Sequence, residues 1–563
     1  MASPSSSSKV YDNLSRHSTP TSDDEATLNL ETKASRTSTD SKQRNGRGED
    51  LEMGEAACQS DSPSDNENQE KESRQSDSRD HSSPNNPDIV WWDSDTDPEN
   101  PYHWPKWRKL TNCGLISLLT LIEPLASSIF APGIPELMRD FESDNSELGA
   151  FVMSVYVLGF AFGPMILAPL SEMWGRVPVY HVCNVFFLAF TIACAVAPSL
   201  DTLIVFRFLA GTFGAAPMTN GGGSIADMFP AEERAGVMAV FSVGPLIGPI
   251  IGPVIGGFLT DAKGWRWDFW VIAMVSGAIM LGMFVTMKES YAPIILERKT
   301  IRLRKETGND RLRSKLDTGL TKNELLKRCI VRPAKLLVFS PICTIFAVYL
   351  AIIYGYLYLL FTSVPYVFEE AYGFSTKTVG LVYLGLGIGS FVGMGWFAFD
   401  SNKEVKKQMA VDNFKPESRL KLLPAAAIIF PIGFFIYGWT ADFKTHWMAP
   451  IIGLVIIGIG RFPLLHFRDP ANRLGNLVCF MAICVYLVDA YEMYAASALA
   501  ANTIMRSIAG ATLPLCGMKM YNAIGLGWGN SMLGFIAVAL IPIPFLILRY
   551  GEMLRKKYEI SNL

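Results

Sequence analysis

Residues 244–257 read Gly-Pro-Leu-Ile-Gly-Pro-Ile-Ile-Gly-Pro-Val-Ile-Gly-Gly, inside an apolar run from about 235 to 259. Gly244, Gly248, Gly252 and Gly256 recur every fourth residue, with Pro245, Pro249 and Pro253 beside them. In water both residue types disfavour a helix interior. In a bilayer the backbone must satisfy its own hydrogen bonds, so a helix is still the favoured solution. Glycines at i, i+4 then form one smooth face that lets a neighbouring backbone come close. Such a face occurs as a generic packing surface in membrane proteins. Four glycines in register with three prolines point to a specialised helix.

Outward from this helix, the rest of the chain divides into two regimes. It has 563 residues, 49% of them hydrophobic, and a mean hydropathy of +0.22. Residues 1–87 are rich in Ser, Asp, Asn and Glu and lack the apolar content to offset ordering entropy, so they read as a disordered tail. From about Leu110 onward long apolar runs alternate with short polar links, the pattern of a polytopic all-α membrane protein. The net charge of −3 sums an acidic tail and basic loops and points to no nucleic-acid partner. Nine scattered cysteines without a CxxC pair, and six histidines without ligand spacing, suggest neither a disulfide frame nor a metal site. No phosphate-binding P-loop sequence occurs, so the energy source expected is an ion gradient and no cofactor.

Twelve spans are expected, at about 110–131, 148–170, 179–198, 203–226, 237–259, 269–287, 340–362, 379–399, 422–440, from 448, 495–517 and 530–548. The domains that follow are the tail 1–87, an aromatic and basic juxtamembrane segment 88–109, a six-helix half 110–287, a basic linker 288–339, a second six-helix half 340–548 and a C-terminal tail 549–563. The stretch 288–335 carries 14 Lys and Arg against 6 Asp and Glu, and 400–421 carries 6 against 4. The first opposite loop sets Arg139 against Glu136, Asp140, Glu142, Asp144 and Glu147. The positive-inside rule therefore places both termini and the linker in the cytosol. Six spans, a basic linker and six spans is the layout of a transporter built from two parallel halves.

Span 10 holds an anomaly. Residues 461–475, Arg-Phe-Pro-Leu-Leu-His-Phe-Arg-Asp-Pro-Ala-Asn-Arg-Leu-Gly, place three arginines, an aspartate and two prolines mid-span. Central charges of this number cost on the order of 10 kcal/mol. Joining Gly460 to Asn476 restores one apolar helix. The segment reads as an in-frame retained intron, or as a re-entrant loop that lines a watery cavity.

Several motifs surround the Gly/Pro helix. The link between spans 2 and 3 reads Ala-Pro-Leu-Ser-Glu-Met-Trp-Gly-Arg-Val-Pro over 168–178, with Glu172, Gly175 and Arg176 placed for charge contacts to helix ends. Span 4 carries Arg207, then Gly211. The loop after it runs from Asp227 to Arg234. These stretches resemble the major facilitator superfamily, and more narrowly its fungal drug:proton antiporters with twelve spans. The 168–178 link is similar to the family's span 2–3 motif, with Ala168 for the first Gly, Glu172 for the Asp and Val177 where a basic residue is usual. Arg207-x-x-x-Gly211 resembles the span 4 motif, whose arginine is implicated in proton coupling. Gly248, Pro249, Gly252, Pro253, Gly256 and Gly257 match the span 5 motif associated with exporters. Trp104-Pro-Lys-Trp, the 124–132 run, Tyr486-Leu-Val-Asp-Ala490 and Tyr494-Ala-Ala-Ser497 resemble fungal members. The likeness covers about 88–563.

Ionisable residues inside spans are costly and are functional candidates by default. Arg207 reads as a proton-coupling or a snorkelling arginine near the outer end of span 4. Glu123 reads as a protonatable carboxylate or a polar substitution in a cavity wall. Arg506 reads as cavity lining or a backbone brace, and Asp489 as a proton carrier or, nearer the cytosolic end of span 10, a structural charge. Tyr354, Tyr356, Tyr358, Phe361 and Tyr366 cluster on span 7. Residues 354, 356 and 358 fan over about 200° of helix, so at most two face one cavity. Tyr354 and Tyr358 are the cavity candidates.

The function expected is a proton-coupled exporter of small amphipathic molecules (a drug, toxin or secondary metabolite) and not an enzyme. It is expected as a monomer in the plasma membrane, with substrate, protons and lipid as partners. A proton-symporting nutrient or polyamine transporter is one alternative. A protein inactivated by the span 10 insert, or acting as a sensor, is another. Span 5 is expected to form a moving seam between the halves without touching substrate.

Overall fold

The computed structural model describes residues 88–557 except 95, 318, 320, 410–416, 418–419, 421–422, 460–482, 485, 488–489 and 492–494, and the statements below concern the described residues. The tail 1–87, the 461–475 segment, Asp489, Tyr494 and residues 558–563 lie outside them.

The molecule is a bundle of helices joined by short links. Seven helical stretches are long and apolar enough to cross a membrane, and a bent pair in span 5 makes eight. Shorter apolar helices at Thr376–Val392, Ala427–Asp442 and Met448–Gly458 fall on spans 8, 9 and 10. The last long stretch, Ser497–Arg555, covers spans 11 and 12 and is broken at Gly525, whose φ of 80° no ordinary helix holds. The order of the described helices is consistent with the expected spans.

Local chemistry explains many of the ends. Asn145 accepts from Glu147 N to cap span 2, Ser199 forms a capping box with Thr202 at span 4, and Ser340 caps span 7. Span 1 is helical over Lys106–Ser128, then passes through a short turn into Ile134–Asp140. Span 4 is two helices, Leu200–Gly214 and Ala216–Met228. Span 5 runs from Ala231 to Lys263 and bends by about 40° between Gly236–Pro245 and Ile247–Lys263. Proline at the break removes an N–H from the helix ladder, which is the usual cause of such a kink.

Within the first half, span 1 packs on span 5, span 2 on span 4, and span 3 on spans 4 and 6. Within the second, span 7 packs on spans 11 and 12, span 9 on 10 and 12, and span 8 on 10. Span 2 meets span 11, and span 5 meets span 8, across the halves.

Three expectations are corrected. The basic linker is not one polar loop: it contains the helices Ala292–Thr307 and Lys322–Phe339, the second opened by a Thr321–Glu324 capping box. The span 8 helix runs from Thr376 to Met409, ten residues past its expected end. The juxtamembrane segment is only partly a membrane-surface element. Trp107 is exposed, but Ile89–Val90 pairs in parallel with Arg313–Ser314, Trp104 is buried, and Lys299 joins Asp93 at 2.7 Å and Asp97 at 3.4 Å. The segment is a strap tied to the linker.

Candidate functional site

Span 1 ends at Ser128, and the Ile129 N–H serves the Leu125 carbonyl, which leaves those of Ala126 and Ser127 without a donor from the following turn. Arg207 takes that role. Its guanidinium donates to the carbonyls of Ala126 at 2.9 Å and Ser127 at 3.2 Å, and Nε donates to the Val152 carbonyl in span 2 at 3.2 Å. The Phe130 and Tyr156 rings lie 4.6 and 4.4 Å from the charge. Arg207 is buried at 1% exposure, so it does not snorkel: it clamps span 4 to spans 1 and 2. Close crossing makes this reach possible, since a Cβ on Gly211 would stand 2.1 Å from the Tyr156 carbonyl.

Glu123 is also buried, and neither carboxyl oxygen has a hydrogen-bond partner among the described residues. Its own carbonyl accepts from the Tyr156 hydroxyl at 3.1 Å. The carboxyl does not line the central cavity; its electrostatic neighbours are Tyr156, Tyr180 and Cys183 on spans 2 and 3. The expectation of a polar residue in the cavity wall is therefore corrected. Its neighbour Pro124 holds the wall position.

The cavity lies between the halves and has a volume of about 80 Å³. Pro124, Pro245, Pro249 and Ile250 face Leu357, Tyr354, Tyr358 and Phe361 across it, with Ser390 and Arg506 as polar handles. Arg506 stands 4.6 Å from the Tyr354 ring centre. Tyr356 points away: its hydroxyl donates to the Leu533 carbonyl at 3.1 Å and its ring packs on Phe430 and Phe434. The helical fan on span 7 thus resolves into two cavity tyrosines and one packing tyrosine.

The Gly/Pro helix is where expectation and structure differ most. Added Cβ atoms on Gly244, Gly248, Gly252 and Gly256 would meet Leu121, Leu125, Ser128 and Ile129, all in or just beyond the span 1 helix of the same half. The glycine face meets span 1 of its own half and not the other half. The seam is made one position further round, where Gly257 meets Gly380 and Thr376 of span 8, and Pro253 O lies 2.7 Å from a Cβ on Gly380. Pro245 and Pro249, in turn, line the cavity between the halves. Pro253 has no N–H for the Pro249 carbonyl four residues earlier. Ser128 supplies the missing donor at 3.2 Å. Ser128 was not legible as functional; proline spacing would have signalled only the orphan carbonyl.

On the linker side, Arg176 is the hub of the span 2–3 motif. Nε donates to Asp227 at 3.1 Å and a terminal nitrogen donates to Ser171 Oγ at 2.7 Å; that hydroxyl donates in turn to Asn220 at 2.9 Å. Glu172 lies within electrostatic range of Arg176 and of Arg332 on the linker helix. Arg234 donates to the carbonyls of Ala226 and Phe229 at the end of span 4 and lies within electrostatic range of Asp227. Sequence reasoning missed Glu289, which accepts from the backbone N–H of Arg176, Val177 and Tyr291. Gly175 has φ of +100°, and any Cβ there would stand 2.2 Å from the Glu289 carboxylate. An acid directly after span 6, in Lys288-Glu-Ser-Tyr291, was the available signal.

On the far side three ion pairs cross between the halves. Arg139 pairs with Glu369, Lys377 with Asp261 at 3.6 Å, and Lys519 with Glu147 at 2.6 Å.

A family model described as the Major Facilitator Superfamily matches residues 116–514. The chain belongs to this superfamily. It is 50% identical to the "MFS-type transporter tndD" of Aspergillus flavipes, over 84% of this chain and 87% of that protein. It is 51% identical to the "MFS-type transporter penM" of Penicillium rubens, over 84% and 91%, and 47% identical to the "Efflux pump radE" of Floropilus chiversii, over 83% and 85%. Among solved structures, a partially occluded inward-open xylose transporter XylE from E. coli superposes with a TM-score of 0.55 at 14% identity, covering 79% of this chain and 98% of that one. A bacterial homologue of the lysosomal transporter Spinster gives 0.54 at 14% identity, over 82% and 100%. These last two establish the fold alone. The protein is therefore a multi-pass membrane transporter of the superfamily, moving a small-molecule substrate, and not an enzyme.

Proposed function

We propose that this major facilitator exports small amphipathic molecules (a drug, toxin or secondary metabolite) from the cytosol across the plasma membrane, driven by protons moving inward. The observation that carries the reading is the cavity between the halves, apolar and aromatic with Tyr354, Tyr358, Ser390 and Arg506 as its few polar groups. Export is supported by the match to an efflux pump and by the span 5 array. Among the described residues no carboxylate lines the cavity, which disfavours a polyamine. The basic linker and both termini face the cytosol in this reading, and the protein works as a monomer.

Proton coupling is assigned to the first half, at Glu123 and Arg207. A buried carboxyl without a donor is costly when ionised and far less so when neutral, so it can gain or lose a proton as the bundle opens to water. Asp489 remains a proposed participant. Alternating access then rocks one half against the other, with the far-side ion pairs and the Arg176 cluster closing opposite ends in turn.

The test is transport of a panel of fluorescent amphipathic compounds in vesicles of defined orientation. An imposed gradient, acidic on the far side, should accelerate movement out of the linker-side compartment, and Glu123→Gln should abolish that acceleration. Uptake unaffected by the gradient across the panel, or Glu123→Gln that keeps the full response, would overturn the coupling.

A further inference from the structure

At about 80 Å³ the cavity is too small for a drug-sized molecule, whose pockets measure about 300–1,000 Å³. Any such substrate must therefore part the walls. On one wall is Pro124 of span 1; on the other is Tyr358 of span 7. Those two helices belong to different halves, and a single side-chain hydrogen bond joins them there: Tyr358 Oη lies 3.0 Å from Ser127 Oγ, with both side chains buried.

The direction of that bond follows from its neighbours. Ser127 has one hydroxyl proton and directs it to the Pro124 carbonyl at 2.6 Å. Ser127 Oγ is then an acceptor towards Tyr358, and Tyr358 is the donor. Ser127 is itself held by its backbone, because Arg207 donates to its carbonyl. The tyrosine hydroxyl thus grips a residue that the buried arginine of the other half already fixes.

We infer that Tyr358 is a specificity-determining residue, and that its hydroxyl exchanges Ser127 Oγ for an acceptor oxygen on the substrate. This rests on the reading of the cavity as the substrate site and deepens it. When the walls part, the Tyr358 O–H loses Ser127, and the Tyr354 hydroxyl one turn earlier is the polar neighbour left to it in an otherwise apolar cavity. A buried donor without a well-placed acceptor is penalised, so molecules that offer one are favoured over those that do not. The substrate class this selects is an aromatic or aliphatic body bearing a carbonyl, ether or phenolic oxygen. The same exchange unties span 1 from span 7, which joins substrate recognition to separation of the halves.

The experiment uses the full chain in nanodiscs with its other cysteines replaced and Ser390→Cys introduced in the cavity wall. The alkylation rate of that cysteine by a membrane-permeant maleimide reads how often the cavity opens, with no transport step. Tyr358→Phe and Ser127→Ala should each raise the rate about 5- to 30-fold, the span expected for one lost hydrogen bond. Tyr356→Phe, which loses a tyrosine hydroxyl directed at span 12, is the control and should leave the rate unchanged. Protection is then measured with acetophenone and with ethylbenzene, which has the same shape without the oxygen. Acetophenone should protect at about 5- to 30-fold lower concentration, and Tyr358→Phe should erase the difference. Rates in Tyr358→Phe and Ser127→Ala that match the control would overturn the tie. Equal protection by the two probes, or protection by neither, would overturn the donor role. Failure of the panel to be exported would count against the proposed function and leave both readouts intact.

Discussion

The glycine face of span 5 makes a graded prediction. Alanine at each position adds one carbon whose surroundings are known. At Gly244 that carbon would stand 3.0 Å from the Leu121 nitrogen, and at Gly248 2.7 Å from the Leu121 carbonyl. At Gly252 it would be 2.5 Å from the Ser128 hydroxyl and 3.0 Å from the Leu125 carbonyl, and at Gly256 only 1.6 Å from the Ile129 carbonyl. Ordinary contact begins at 3.4 Å, so Gly256→Ala is short by about 1.8 Å against backbone that cannot rotate aside. Two terms compete. Alanine favours the helix by about 1 kcal/mol over glycine. Overpacking costs about 1–3 kcal/mol, more when backbone must move. Gly244→Ala should come out near neutral, and Gly248→Ala and Gly252→Ala mildly destabilising. The Gly252 change also disturbs the Ser128 hydroxyl that serves the Pro249 carbonyl. Gly256→Ala should lose about 3 kcal/mol or more, because spans 1 and 5 must separate along their length. The assay is the temperature at which the monodisperse peak is half lost by fluorescence-detected size exclusion, run on all four variants in one detergent. Gly257→Ala is the internal contrast: its carbon would meet Gly380 and Thr376 of the other half at 2.9 Å, so it should slow transport more than it lowers that temperature. A Gly256→Ala variant as stable as Gly244→Ala would refute the assignment of this face to span 1.

Other perturbations follow from the same geometry. Arg207→Lys gathers its donors on one nitrogen, which cannot reach the carbonyls on two helices that three guanidinium nitrogens reach, and it should lose about 1.5–3 kcal/mol of stability for each bond given up, read as thermal inactivation, together with transport. Lys519→Glu should weaken far-side closure and Glu147→Lys in the same chain should restore it; both groups are partly in water, so the pair contributes at most about 1 kcal/mol and the effect on a spin-label distance across spans 2 and 11 should fade at high salt. Burial raises the Asp97 carboxyl, but N–H donors from Asp93 and Glu99 together with Lys299 outweigh it and hold the group below its ordinary value. A depressed carboxylate contributes stability above its unfolded value of about 3.9 and loses it as pH falls through the folded value. The strap should therefore stay docked from neutral pH down to about pH 4. Hydrogen exchange over 88–104, corrected for intrinsic rates, that rises already between about pH 8 and 6 would contradict this.

Much of the architecture was legible because it is written along the chain. Apolar runs of membrane length mark the spans, charge asymmetry divides the links into two classes, and an arginine inside an apolar run announces a function. Arg207 and the Arg176 link were singled out that way, and the helical fan on span 7 left Tyr354 and Tyr358 as the pair able to share a cavity, which they line. The direction each helix faces was not legible. A helix that is apolar on every side has no polar stripe to say which face turns inward. Nothing in Gly244–Gly257 distinguishes a contact with span 1 from one with span 8, and nothing in Glu123 distinguishes the cavity from the interior of its own half. Those choices depend on partners on other helices, from 33 residues away for Tyr156 and Glu123 to more than 100 for span 5 and span 1. Ser128 finds the orphan carbonyl of Pro249, Glu289 closes over Gly175, and Tyr358 reaches Ser127 only once the bundle is packed. Hydropathy, charge and motif resemblance placed this chain among the polytopic all-α transporters and marked its glycine-rich helix. Close packing of the helices, which alone sets their rotation about their own axes, decided that this helix is fastened to span 1 by its glycines, presents prolines to the cavity, and meets the other half at Gly257.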